Sequence, residues 1–315
     1  MTDQTTVGGL APAGDPGAAQ PTADFEVALE SLNQWQLAWR RYKRHRLALI
    51  GGGIFLFMIV LAIIGPIIWP FDRLAVRSDL PGPQGFSPLQ DPPFGSDGAG
   101  RSVWRLVANG ARLSMLIGLT TMLISVTIGT VVGAIAGYFG GRIDNILMRL
   151  VDLFLSIPLL FVVLVAARFF GGGELVPLIA IFGILLWPGL ARLVRALFLS
   201  LREQEFVQAA RAVGVGDFRI AFRHILPNAL GPIIVTATLL VANAIILEAF
   251  VSYLNFGLKA QDVSWGNALS NAQSRMSVGN WWWPFFPGFF IALTVISINF
   301  MGDGLRDALD PRSRE

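Results

Sequence analysis

Six stretches of the 315-residue chain are each long and apolar enough to cross a bilayer as a helix: roughly Leu47–Pro70, Leu113–Gly137, Ile146–Ala167, Leu175–Leu199, Ala229–Leu254 and Phe285–Met301. About 20 apolar residues in helical form match the hydrocarbon thickness. Inside that layer only a helix or a closed barrel satisfies its own backbone hydrogen bonds, and no barrel-type alternation is visible here. The expected fold is therefore an all-α polytopic membrane protein with six transmembrane helices. The composition agrees, because only 14% of residues are charged, against about 25% in a soluble domain. Cysteine is absent, which excludes disulfides and thiol chemistry.

Cations orient the runs. Arg40, Arg41, Lys43, Arg44 and Arg46 precede the first one, placing the N-terminus in the cytoplasm. Six crossings return the C-terminus there, together with Arg142, Arg192, Arg195, Arg202, Arg211, Arg219, Arg223, Arg306, Arg312 and Arg314. The outer side keeps fewer cations (Arg73, Arg77, Arg101, Arg105, Lys259 and Arg275) and the aromatic anchor "WWWPFFP" at 281–287. Residues 1–34, rich in Ala, Gly, Pro and Thr, read as a disordered cytoplasmic tail and not as a cleavable signal. Residues 35–72 combine an aromatic, basic segment suited to the membrane surface with the first span. An external loop at 73–112 has a turn-rich start and an amphipathic helical stretch, and a second long outer loop covers about 255–284. Such loops suit either an external partner or a cap over the bundle.

Polar and small residues inside the runs need reasons. Ser125, Gly129, Gly133 and Gly137 recur every four residues, a stripe for close helix packing against a neighbour in this chain or in another. Arg149 and Asp152 are three apart, share a helix face, and suit an ion pair, or a gate or relay. Asn243 and Glu248 in the fifth run suit a water-filled path or hydrogen bonds between helices. No chain of acidic residues crosses the membrane, which weakens a proton-relay mechanism. Pro158, Pro177, Pro188 and Pro232 bend or break their helices. Neither lysine follows a glycine-rich phosphate loop, the two histidines, His45 and His224, lack ligand spacing, and no nucleophile motif is present. No catalytic residue, metal, cofactor or nucleic-acid partner is expected.

One polar segment interrupts the oily sequence, "EQEFVQAARAVGVGDFRIAFRHILPNAL", on the expected cytoplasmic side. Glu203 and Glu205 favour the start of a short helix, Gly214 can end it in the left-handed conformation, Asp217 is a good N-cap for a second short helix, and Pro227 opens the next run. The result is a helix–glycine–helix elbow at 203–227. Ala209 and Ala210 give its first helix little bulk, so another backbone could approach.

This segment resembles the cytoplasmic signature of binding-protein-dependent ABC importer permeases: E-A-A, three residues, Gly, nine residues, then I-x-L-P. The matching residues are Gln208, Ala209, Ala210, Gly214, His224, Leu226 and Pro227, with Gln208 replacing the glutamate and His224 the isoleucine. "FGSDGAGRSVWRLVANGARLSM", "GRIDNILMRLVDLFLSIP", "LEAFVSYLNFGL" with "SWGNAL", and "NFMGDGLRDALDPR" resemble segments of the dipeptide/oligopeptide ABC importer family. The likeness covers the chain from about residue 36. The single helix before a five-helix type I permease core (113–305, followed by a cytoplasmic tail at 306–315) resembles the second, C-type subunit.

The resemblance implies a plasma-membrane subunit of bacteria or archaea, paired with a second permease, two cytoplasmic ATPase subunits and an external substrate-binding protein, all within membrane lipid. It implies peptide import by alternating access, with the elbow moved by the ATPases and all ATP hydrolysis outside this chain. A nickel chelate or another solute carried by the same machinery is the alternative cargo. An ion-coupled secondary transporter is the alternative class.

Overall fold

The computed structural model describes residues 34–72, 86–89, 93–169, 173–259, 262–273 and 279–309. The expected disordered tail, apart from Gln34, and five cations of the orientation argument (Arg73, Arg77, Arg275, Arg312, Arg314) lie outside the described residues. Every regular element among the described residues is a helix.

Helix α1 (Gln34–Tyr42) is amphipathic: Ala38 and Tyr42 pack on the last helix, while Leu37 and Trp39 face out with Lys43 over the Trp39 ring. α2 (Arg46–Ile68) starts where the His45 ring accepts a hydrogen bond from the Ala48 amide. α3 (Val103–Phe139) is one helix of 37 residues. It begins ten residues before the apolar run, so the amphipathic stretch of the external loop and the second span are a single element. The reason is packing: Val103, Val107, Ala108 and Ala111 are buried against α2 and Trp265.

The third run departs from a simple crossing. It is α4 (Gly141–Ser156) and α5 (Leu159–Phe169), bent by 84° at Ile157–Pro158. Proline lacks the amide that would continue the ladder, and it forces the residue before it out of helical geometry; Ile157 is indeed extended. By contrast α6 (Leu175–Leu201) and the fifth span continue as helix through Pro188 and Pro232. Among the described residues five helices are long and apolar enough to cross singly, and the bent pair makes six when it is counted as one span.

α7 (Glu205–Ala212) follows, then α8 (Asp217–Arg219), a wide π-helical stretch at Ile220–Ile225, and α9 (Leu226–Tyr253) without interruption. The second short helix expected here is thus the first turns of a 37-residue rod from Asp217 to Tyr253. Pro227 cannot donate to the carbonyl four residues back, and the widened turn, in which the Leu226 amide reaches Ala221, accommodates that defect. α10 (Trp265–Ala272) is short, and α11 (Trp282–Leu309) closes the bundle. His45 and Asp307 approach to 3.6 Å, so the start of α2 and the end of α11 share the end of the bundle that carries α7. We call it the elbow end, and the end with α10 the far end.

α3 is the central rod. Its small-residue stripe faces α6 of the same chain, which answers whether the neighbour is internal. Ser125 Oγ donates to the Gly183 carbonyl at 3.1 Å. A Cβ at 129, 133 or 137 would stand 2.9, 2.5 or 2.6 Å from the carbonyl oxygens of Trp187, Ala191 and Arg195. No side chain larger than hydrogen fits without parting the helices.

Candidate functional site

The elbow is built from local backbone rules. α7 ends in a Schellman motif: the Gly214 amide donates to Arg211 and the Val215 amide to Ala210, at 2.9 and 3.1 Å. Gly214 sits at φ +78, open to solvent, with nothing within 4 Å of where a Cβ would be. Glycine is therefore required by conformation and not by crowding. Val207 and Ala210 turn inward to Phe198, Ile220 and Ile225. Facing outward are Phe206, Gln208, Ala209 and Val213, with Phe218 on the second limb; Val213 and Phe218 are 78% and 75% exposed. Both apolar side chains stand open on the elbow, where Arg211, Arg219 and Arg223 are exposed as well.

The structure sorts the seven motif residues. Gln208, Ala209, Gly214 and Pro227 are exposed, Ala210 is buried, and His224 and Leu226 are half-buried in the π stretch and the first turn of α9. Ala210 therefore does not contribute to an outward face; its small side chain serves packing within the chain. Gln208 donates through Nε2 to the Glu203 carbonyl at 3.1 Å, a bond that a glutamate carboxylate could not make. Asp217 is not the N-cap either. Gly216 holds that position without a side-chain bond, and the Asp217 carboxylate instead accepts from the Tyr138 hydroxyl at 2.6 Å.

Ionic contacts bind the elbow end together. Arg195 grips Asp144 with two hydrogen bonds, the longer 2.6 Å, tying α6 to the start of α4. Arg202 donates to the carbonyls of Gly137 and Tyr138 at 3.2 and 3.4 Å and pairs with Glu203. Asp152 pairs with Arg192 of α6, not with Arg149. The expected pair shared a helix face, but Arg192 approaches from the neighbouring helix, and Arg149 points outward.

At the far end, Glu248 is fully buried. Its Oε1 accepts from Ser252 at 2.8 Å and from Ser264 at 2.7 Å. Glu248 thus clasps α9 to the cap of α10 and does not line an open path in this conformation. Trp265 completes the seat, its ring nitrogen on the Val107 carbonyl and its amide on Ser114 Oγ, at 2.9 and 3.1 Å. Asn267 gathers the carbonyls of Leu258, Lys259 and Asp262. Asn243 differs: it is exposed, on one stripe of α9 with Leu239, Ile246, Phe250 and Tyr253. The two residues paired in the sequence reading do not meet. Tyr138 was not singled out, and Trp265 only as part of "SWGNAL", with no role. For Trp265 the available signal was an aromatic followed by glycine and asparagine within a polar loop; for Tyr138 there was none.

Comparison with known proteins gives a consistent grouping. The family model described as binding-protein-dependent transport system inner membrane component matches residues 129–315, and the one for the N-terminal transmembrane domain of oligopeptide transport permease C matches 33–84. The dipeptide transport system permease protein DppC of Bacillus subtilis is 42% identical over 288 residues, 91% of this chain and 89% of its own length. The oligopeptide transport system permease protein OppC of Haemophilus influenzae is 40% identical over 308 residues, 94% and 97% of the two chains. OppC of Bacillus subtilis is 36% identical over 304 residues, 96% and 97%.

Proposed function

The chain belongs to the family of binding-protein-dependent transport system inner membrane components, and from that premise we propose that it is one permease half of an ATP-driven peptide importer, working beside a second permease, two ATPase subunits and an external binding protein. The observation that carries this reading is the elbow: an exposed apolar knob on a defined Schellman turn, at the end of the bundle where the basic residues gather. A chain of this kind needs a separate motor, because it presents no phosphate cradle. The cytoplasm is the elbow side, by the excess of cations there. Relatives whose names give dipeptide or oligopeptide transport support the cargo class. Exposed Asn243 on α9 is the residue we assign to the pathway; Glu248 serves it by holding α10 in place.

The complete complex, purified and reconstituted with its binding protein, should accumulate radiolabelled short peptides in an ATP-dependent manner. Val213→Asp should lower ATPase co-purification about tenfold, as loss of an apolar anchor does at other interfaces. Undiminished ATPase capture by that variant, with uptake intact, would remove the elbow from the docking surface.

A further inference from the structure

The elbow looks like a hinge: two limbs joined at an exposed glycine. A hinge there would waste a push, because the limbs could fold about Gly214 while the membrane helices stayed still. Among the side chains from outside the elbow that pack on both limbs, one also bonds to it across the glycine. Tyr138, at the last turn of α3, is 5% exposed and packs within the cluster holding Val207, Ala210, Ile220 and Ala221, which come from both limbs. Its hydroxyl donates to Asp217 on the second limb at 2.6 Å. The Arg211 guanidinium, on the first limb, stands 5.5 Å from the ring centroid. Its carbonyl takes Arg202, which precedes the elbow. Phe139 meets its ring edge-on. Both limbs and the chain leading into them therefore converge on one residue of α3, directly beyond the stripe that locks α3 to α6.

Resting on the reading of the elbow as a docking site, we propose that Tyr138 is a positioning residue that braces the elbow across Gly214, so that a displacement of the elbow is delivered to the α3–α6 pair instead of being absorbed at the glycine. It touches neither nucleotide nor cargo. The hydroxyl–carboxylate bond is the part that can be removed without emptying the core, because phenylalanine keeps the ring, its packing and the Arg211 contact.

The test uses the whole reconstituted complex. Uptake of radiolabelled short peptides and ATP hydrolysis are measured together, and their ratio is read. In Tyr138→Phe, assembly and hydrolysis should persist while the ratio falls at least about tenfold, the size expected for loss of a hydrogen bond to a charged group. Asp217→Ala should do the same, Asp217→Asn, which keeps an acceptor oxygen, should restore most of the ratio, and the double variant Tyr138→Phe/Asp217→Ala should be no worse than either single. Because the chain lacks cysteine, spin labels at Glu205→Cys and Arg142→Cys report the brace independently. Their distance should stay sharp with and without ATP in the otherwise native chain and broaden in Tyr138→Phe. A ratio within about twofold of wild type, or single-variant losses that multiply in the double, would overturn the brace. A native complex without ATP-dependent uptake would instead overturn the reading of the elbow itself.

Discussion

Burying a carboxyl group near the end of a membrane helix with only hydroxyls for company is costly, and Glu248 shows what the cost secures. Its Oε1 is shared by two serines on different segments, while Oε2 is without a partner. Glu248→Gln keeps an acceptor at that point; Glu248→Ala removes the acceptor from both buried serine hydroxyls, leaving Ser264 Oγ only the Asn267 amide it accepts from. The alanine variant should lose about 1–3 kcal/mol, seen as a lower midpoint of thermal unfolding in detergent, whereas glutamine should stay close to wild type. At this scale the sequence was informative about which residues need an explanation and poor at naming their partners. Helical spacing put Arg149 beside Asp152, but the partner is Arg192, 40 positions away on α6. Asp217 had the composition of a cap, and its carboxylate is drawn to Tyr138 instead. Both errors have one cause: local periodicity describes a helix face, not what comes to meet it.

Elements were more legible, because hydrophobic length and turn chemistry act locally. The six apolar runs, the left-handed Gly214 and the four-residue stripe on α3 all follow from patterns within a few residues. The stripe yields a sharp expectation. Gly133→Val places a branched side chain where a Cβ alone would be 2.5 Å from the Ala191 carbonyl. α3 and α6 must part, at about 1–3 kcal/mol or more, read as reduced recovery of folded protein from the membrane. Gly53→Ala, where nothing lies within 4 Å, is the matched control and should be neutral. The third span was the element least visible. Pro158 marks a break there, but no local pattern sets the direction the chain takes after it, a bend of 84°.

For the whole molecule the governing fact is parity. The starts and ends of the membrane helices bring His45 and Asp307 together, so the described chain enters and leaves at one end. The orientation proposed from the arginine bias puts that end in the cytoplasm, which labelling can check. In a chain otherwise free of cysteine, Arg142→Cys at the elbow end should react with a membrane-impermeant maleimide in inverted vesicles only, and Asn271→Cys on α10 in intact cells only. Reversed labelling would invert the orientation while leaving the fold untouched. One dimension has a mechanical consequence. At ~1.5 Å per residue the 37 residues of α3 extend about 55 Å, against roughly 30 Å of hydrocarbon. The glycine clamp on α6 grips that rod nearer the elbow tip than the far tip. If the clamped pair tilts as one stiff piece about that grip, a small swing at the short arm becomes a larger, opposite swing at the long one, and the two ends of the pair cannot move the same way.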